Sequence, residues 1–342
     1  MLHDKPPLKG VMIGAGFFAG FQAEAWKRVA GVEISAVADS HPGRAEAFAK
    51  EFGIPRSYTD VAAMFRSEQA TFADIVTRPD SHRELCALAA RHCSAVICQK
   101  PMAATLADCQ AMVEDCASRG VRLLIHENWR WQPWYREAKR LTTQGRLGRV
   151  FHLGFRMRTG DGRGTAPYIV QPYFREMPRL LLYETVVHFL DTFRFFAGDL
   201  EWVFCQTDRI NGAIRGEDYA LLQVSFANGA KGLIDANRIS GPWPPEVAFG
   251  EFRIEGEQGM IRIAADGTLF LTEYGKAEVV YPMKNPTEGY KGDSVRALQQ
   301  HLAGCLWSGE AAESESADYL KTVRAVEACY RSAESGLPVR VA

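Results

Sequence analysis

Val11-Met12-Ile13-Gly14-Ala15-Gly16-Phe17-Phe18-Ala19-Gly20 reads as a short apolar strand that runs into glycines, followed at once by Phe21-Gln22-Ala23-Glu24-Ala25-Trp26 with helical spacing. Glycine lets a backbone come close to a ligand, and the first amides of a helix carry partial positive charge, so such a turn suits a pyrophosphate. Gly14-x-Gly16-x-x-Ala19 fits the G-x-G-x-x-G/A fingerprint of dinucleotide sites. About 20 residues further on, a second strand-like run, Val32 to Ala38, ends at Asp39, where a ribose 2′-hydroxyl would be read. The alternative is a tight turn with a capping aspartate downstream; strand, glycines, helix, strand and acid in this order favour the dinucleotide. An acid accepts from a 2′-hydroxyl and repels a 2′-phosphate, so the expected cofactor is NAD rather than NADP, with Arg44 placed to soften that choice.

Outward from this turn, strand and helix alternate. Pro42 to Phe52 reads as a helix stopped by Gly53, and Asp60 caps a helix over Val61 to Arg66. Phe72 to Val76, Ala95 to Cys98 and Val121 to Ile125 read as further strands, separated by helices over Ser81 to His92 and from Thr105 to near Gly120. Short connections and βα repetition predict a doubly wound parallel sheet, a Rossmann domain over residues 1–127, with ligands at the carboxyl ends of its strands. Three loops leave those ends: Thr77-Arg78-Pro79-Asp80-Ser81-His82, Gln99-Lys100-Pro101, and His126 to Pro133.

Beyond about Val150, strand-like runs follow one another: Val150 to Arg156, Trp202 to Thr207, Tyr219 to Phe226, Lys231 to Asn237, Glu251 to Glu255, Met260 to Ala264 and Thr268 to Thr272. Asn228-Gly229 and Asp266-Gly267 mark hairpin turns between them. Residues 128–342 are therefore expected to form an α+β domain with a largely antiparallel, open sheet, closed by helices over Ser294 to Leu306 and Ala317 to Glu334. One helix interrupts the strands, Arg179 to Phe196, apolar almost all round. Glu184, His188 and Asp191 fall at i, i+4 and i+7 on it, a polar island on one narrow face.

The chain has 342 residues, a formal net charge of -1 and 47% hydrophobic residues, which gives no general attraction to nucleic acid or to an anionic membrane. No apolar run reaches the roughly 18 residues of a membrane span, and the polar start, Met1 to Gly10, leads into a strand, so the expected location is the cytoplasm. Eight cysteines lack any C-x-x-C pair and read as reduced, buried thiols; no metal site is expected.

The dinucleotide turn, Lys100-Pro101 after a strand, and Glu184-x-x-x-His188 in a following sheet domain together resemble the glucose-fructose oxidoreductase and inositol dehydrogenase family (Gfo/Idh/MocA) over nearly the whole chain. Ile97 to Met102, His126 to Trp134, Arg156 to Gly162 and Gln171 to Glu184 resemble its sugar dehydrogenases acting on aldoses such as D-apiose. The family usually carries Glu-Lys-Pro where this chain has Gln99-Lys100-Pro101, and aspartate where it has Glu184.

The resemblance implies hydride transfer from a sugar or polyol CH-OH group to NAD. His188 is the expected base, since imidazole ordinarily titrates near pH 6.5, and Lys100 the cation that meets the substrate oxygen. Glu184 orients His188 or binds a neighbouring hydroxyl. Gly14, Gly16, Phe17, Phe18, Asp39, Thr77, Arg78, His82, Gln99, Lys100 and Asn128 are the expected cofactor contacts; Trp129 and Arg156 join Lys100, Glu184 and His188 at the substrate. Trp129, Trp131, Trp134 and Tyr135 suit either a pocket wall for a sugar face or packing. Arg156, Arg158 and Arg163 leave open a sugar-acid substrate. Asp191 is expected to be structural, paired with Arg194. Two other functions remain in view, an NAD-retaining glycosidase or lyase and a non-catalytic NAD-binding sensor; Lys100 and His188 together speak against the sensor. An open antiparallel sheet points to a homodimer or homotetramer.

Overall fold

The computed structural model describes residues 7–341; the first six residues of the polar start, and the last residue of the second expected domain, lie outside the described residues. Two compact units emerge, one of the residues up to Asn128 with Glu288–Leu320, the other of Trp129–Thr287 with the residues from Lys321.

In the first unit β1 (Leu8–Ile13), α1 (Phe17–Lys27), β2 (Val32–Ala38), α2 (Pro42–Phe52), β3 (Arg56–Tyr58), α3 (Val61–Ser67), β4 (Phe72–Ile75), α4 (Pro79–Ala89), β5 (Ala95–Gln99), α5 (Leu106–Ser118) and β6 (Arg122–His126) follow in order. The strands form a six-stranded sheet, β3-β2-β1-β4-β5-β6, with every pair parallel. Every residue of β4 and β5 is buried, the continuous burial a sheet covered on both faces requires. The caps are those expected: Asp60 accepts from the Ala62 N–H, Thr105 from the Asp108 N–H, and Gly53 ends α2 with φ 68°. No sequence pattern announces β3. Arg56-Ser57-Tyr58 has no apolar alternation and is a strand only because it pairs with Ala36–Ala38.

The second unit begins with a short 3-10 turn at Trp129–Trp131 and α6 (Pro133–Thr143), to which the sequence reading gives no element. Then come β7 (Val150–Arg158), α7 (Val187–Ala197), β8 (Leu200–Asp208), β9 (Tyr219–Phe226), β10 (Lys231–Asn237), β11 (Gly250–Gly256), β12 (Gly259–Ile263), β13 (Leu269–Glu273), β14 (Val279–Val280) and β15 (Val339–Arg340). They form one nine-stranded sheet, β14-β13-β12-β11-β7-β10-β9-β8-β15, antiparallel except where β7 meets β10. Both hairpin turns are present, with Gly229 at φ 89° and Gly267 at φ 81°. At Gly267 a Cβ would come within 2.6 Å of the Trp134 ring, so the turn is closed by an indole as well as by its dihedral. Phe155 on β7 stacks on Phe189 of α7 at 3.9 Å, fixing which face of the sheet the helix covers.

The helix expected over 179–196 is two pieces. Leu181–Val186 winds as a π-helical turn before α7 begins. The Glu217 carboxylate receives the N–H groups of Leu180 (3.2 Å) and Leu182 (3.0 Å) there, and the Tyr330 hydroxyl at 2.6 Å. A wider turn takes Glu184 out of the regular stripe through His188 and Asp191, so the single narrow face does not form. Such turns recur where function displaces a side chain.

After the sheet the chain returns to the first unit. α8 (Ser294–Ser308) packs on α1, and Asp293 at its start takes two hydrogen bonds from Arg28, of 2.5 and 2.8 Å. Residues 288–320 thus pack with the parallel sheet, whereas the sequence division at 128 assigns them to the second domain. Nothing local in α8 records which sheet its apolar face meets. α9 (Ser316–Ser335) follows.

Candidate active site

The order of the parallel sheet places its switch point between β1 and β4, and the glycine turn lies there. Gly14 has φ +102°, and a Cβ on it would stand 2.4 Å from the Val76 carbonyl oxygen, so the close approach of the two strand ends requires glycine. Gly16 is different. A Cβ there would meet nothing within 4 Å, and Gly16 caps α1 without any side-chain hydrogen bond. The protein's own packing does not demand this glycine, and the open space before the first amides of α1 suits a pyrophosphate. Asp39, at the end of β2, accepts the Ala15 and His41 N–H groups at 2.9 Å each, with Arg44 at 3.7 Å. These residues fit a dinucleotide, which when bound supplies the hydride acceptor. Phe17 is 51% exposed, while Phe18 is half-buried against Tyr290 at 5.2 Å between ring centres.

The loops after β4, β5 and β6 divide the remaining candidates. Thr77 is half-buried, its hydroxyl 2.7 Å from that of Ser81, and Arg78 is exposed at the start of α4. His82 requires a correction as a cofactor contact. It is fully buried, with Nδ1 at 3.1 and 3.2 Å from the carbonyls of Pro101 and Met102 and Nε2 at 3.1 Å from that of Thr77. Burial pushes its imidazole down against those carbonyls. His82 staples two loops together and presents no nitrogen outward. Gln99 is corrected likewise: its amide turns inward, donating to Gln22 at 2.6 Å and accepting the Lys100 N–H at 2.8 Å. Asn128 is buried and donates to the Ser294 hydroxyl at 2.8 Å. Lys100 itself is half-buried at the strand's end.

In the second unit, Trp129 stacks on the His188 ring at 5.0 Å and 26°, which sets the plane of the imidazole. Glu184 accepts the Thr185 hydroxyl at 2.6 Å, and Arg238 reaches the same oxygen at 3.4 Å while pairing with Asp161. Burial works against the charge on Arg238, but Asp161 and Glu184 outweigh it and hold the guanidinium protonated. Asp191, 1% exposed, receives two 2.6 Å hydrogen bonds from Arg130; Arg194 reaches Asp199 at 2.8 Å. Trp134 and Tyr135 are buried in the unit's core, Tyr135 edge-on to Phe252, and are packing residues.

Arg156 does not join this group. Residues alternate along β7, so it is exposed on the face opposite Phe155, away from the helix that carries His188. Arg158 is held by Asp235 at 2.5 Å, and Arg163 donates to the Ile239 carbonyl.

Sequence reasoning missed Arg238, His126 and Lys291. Arg238 follows an ordinary strand and belongs to no motif. His126 is fully buried at the end of β6, its two ring nitrogens lacking hydrogen-bond partners and its imidazole pushed by burial down to about 4. Burial brings the Lys291 ammonium down to about 7, beside the Tyr290 ring. The return of residues 288–320 to the first unit sets Tyr290, the neighbour of Lys291, against Phe18.

Residues 8–127 match the oxidoreductase family with an NAD-binding Rossmann fold, and residues 135–262 match the GFO/IDH/MocA C-terminal domain. The chain is 36% identical to the D-apiose dehydrogenase of Rhizobium rhizogenes, over 98% of this chain and 97% of that enzyme. It is 35% identical to the D-apiose dehydrogenase of Paraburkholderia graminis, over 97% of this chain and 89% of that one. The crystal structure of an oxidoreductase from Agrobacterium radiobacter in complex with NAD+, L-tartaric acid and magnesium superposes with a TM-score of 0.90 at 35% identity, covering 98% of both chains. Among the described residues no helix is long and apolar enough to cross a membrane.

Proposed function

Because the chain belongs to the Gfo/Idh/MocA family of oxidoreductases, we propose that it oxidises a neutral aldose of pentose size, D-apiose foremost, with Lys100 and His188 acting on the reacting hydroxyl. At the coarser level the protein is an NAD-dependent dehydrogenase of sugar or polyol CH-OH groups. His188 takes the hydroxyl proton, its ring plane held by Trp129, and Lys100 donates to the same oxygen as alkoxide charge develops. Glu184 accepts from a neighbouring hydroxyl. Gly16, the amides opening α1 and Asp39 hold the dinucleotide, and Asp39 selects NAD.

The observation that carries the choice of a neutral sugar is the commitment of Arg158, Arg163 and Arg238 to acids or carbonyls of their own unit, which would have to be undone to receive a carboxylate. A second reading, a hydroxy acid, draws on the relative crystallised with L-tartaric acid. Following NADH absorbance over aldoses, polyols and sugar acids decides between them, and net reduction of NAD separates a dehydrogenase from a cofactor-retaining glycosidase. D-apiose is expected to give the highest kcat/KM; a sugar acid exceeding every neutral sugar replaces this reading with the second. His188→Ala is expected to lower kcat by about 10²- to 10⁴-fold with NAD affinity retained. Unchanged turnover removes His188 as the base, and a preference for NADP removes the role of Asp39.

A further inference from the structure

Asp74 lies in the middle of β4, fully buried. Its carboxylate accepts the Trp26 indole N–H at 2.7 Å and the Gln22 amide NH2 at 2.8 and 2.9 Å. The Gln22 carbonyl oxygen accepts the Gln99 NH2 at 2.6 Å, and the Gln99 carbonyl oxygen accepts the backbone N–H of Lys100 at 2.8 Å. Gln22 is wholly buried and Gln99 is 5% exposed, so water does not compete for these groups.

This chain of bonds has a direction. An ionised carboxylate can only accept, so the Gln22 NH2 must face it, its carbonyl must face Gln99, and the Gln99 carbonyl is left for Lys100. Reversing both amides would set the Gln99 NH2 against the Lys100 N–H, donor against donor. On the other side of Lys100 the carbonyls of Pro101 and Met102 are held by His82. The lysine's backbone is thus fixed upstream by Gln99 and downstream by His82, and only Gln99 depends on a distant charge.

We propose that Asp74 and Gln22 are positioning residues for Lys100: the buried anion sets the orientation of two amides, and these hold the Lys100 backbone in place. The inference rests on Lys100 acting on the substrate, and its first readout does not depend on turnover. In Asp74→Asn a donor must face a donor somewhere along the chain; at position 74 that mismatch is wholly buried, so both glutamines turn over and move it to the half-buried Lys100, whose N–H loses its acceptor. In the double variant Asp74→Asn/Gln22→Glu the anion moves one step along the chain. Trp26 then donates to the carbonyl of the amide introduced at position 74, the NH2 of that amide donates to the carboxylate introduced at position 22, and Gln99 keeps both of its bonds.

Hydrogen exchange of the Lys100 amide is expected to quicken at least tenfold in Asp74→Asn and to return to within about threefold of wild type in the double variant. kcat is expected to fall about 10- to 100-fold in Asp74→Asn, with KM for NAD within about twofold, and to recover in the double variant. Gln99→Leu, which removes the acceptor and leaves Asp74 in place, reproduces the single-variant exchange and rate, and serves if Asp74→Asn does not fold. Wild-type exchange in Asp74→Asn, or a folded double variant that recovers neither exchange nor kcat, overturns the proposal. Exchange that follows the prediction while Lys100→Ala retains full turnover upholds the relay and removes the role of Lys100 in the reaction.

Discussion

The two units bury an aspartate in opposite ways. Asp74 in the parallel sheet is held by neutral donors, an indole and an amide; Asp191 on α7 meets the guanidinium of Arg130 through two bonds. Pairing cancels charge where it arises, so Asp191 ties the Trp129–Trp131 turn to the helix that carries His188. Neutral donors leave the charge uncancelled and, once the carboxyl is ionised, pass its direction on to the groups behind them. Burial raises the Asp74 carboxyl to about 7, against the bonds from Trp26 and Gln22. One arrangement anchors, the other orients.

Removing the paired cation should produce the largest effect. Arg130→Met leaves Asp191 buried without its guanidinium and is expected to cost about 3–5 kcal/mol of stability in urea unfolding. A loss below about 1 kcal/mol would show that Asp191 is anchored by something else, and the contrast would fail.

The next effect belongs to Asp74 and depends on pH. Its folded-state pKa, about 7, lies above the ordinary 3.8, so the folded protein keeps this proton where the unfolded chain has lost it. The resulting stability is fully present below about pH 4 and is lost as pH rises through about 7, with a slope of at most about 1.4 kcal/mol per pH unit. Asp74→Asn lacks this dependence. The difference in unfolding free energy between wild type and variant, measured from pH 4 to 8, should therefore move steadily against the wild type; a flat difference would mean that the neutral donors hold Asp74 as well as an arginine would.

An exposed cap in the first unit gives the smallest effect. Thr105 accepts the Asp108 N–H at 3.1 Å in contact with water, so Thr105→Ala should cost about 1 kcal/mol and be nearly independent of pH between 6 and 8. A loss as large as that of Arg130→Met would mean that burial is not what separates these cases.

The elements legible beforehand were those with short-range signals. Gly14, Gly16 and Asp39 lie within one βαβ unit, and the cap residues Asp60 and Thr105 act on amides two or three positions away. β3, β14 and β15 are two or three residues long and exist because another strand offers a ladder, so no periodicity announces them. The stripe of Glu184, His188 and Asp191 was misplaced for a related reason. It assumes a uniform helix, and the π-helical turn is capped by Glu217, 35 residues away from Leu182. His82 and Gln99 sit in the right loops but face inward, because the direction of a side chain depends on which partners the neighbouring strand ends supply.

By itself the sequence determined the dinucleotide turn, the alternation of the first half, the strand-rich second half and the family. These follow from residue type and spacing, whose physical consequences act over a few positions. Only the tertiary structure decided that Arg156 leaves the His188 side of the sheet, that Arg238 approaches Glu184 across 54 residues, and that Gln22 bridges Asp74 and Gln99 across 52 and 77. A buried hydrogen bond needs its two ends brought within about 3 Å and shielded from water, and that condition is met by packing rather than by any local pattern.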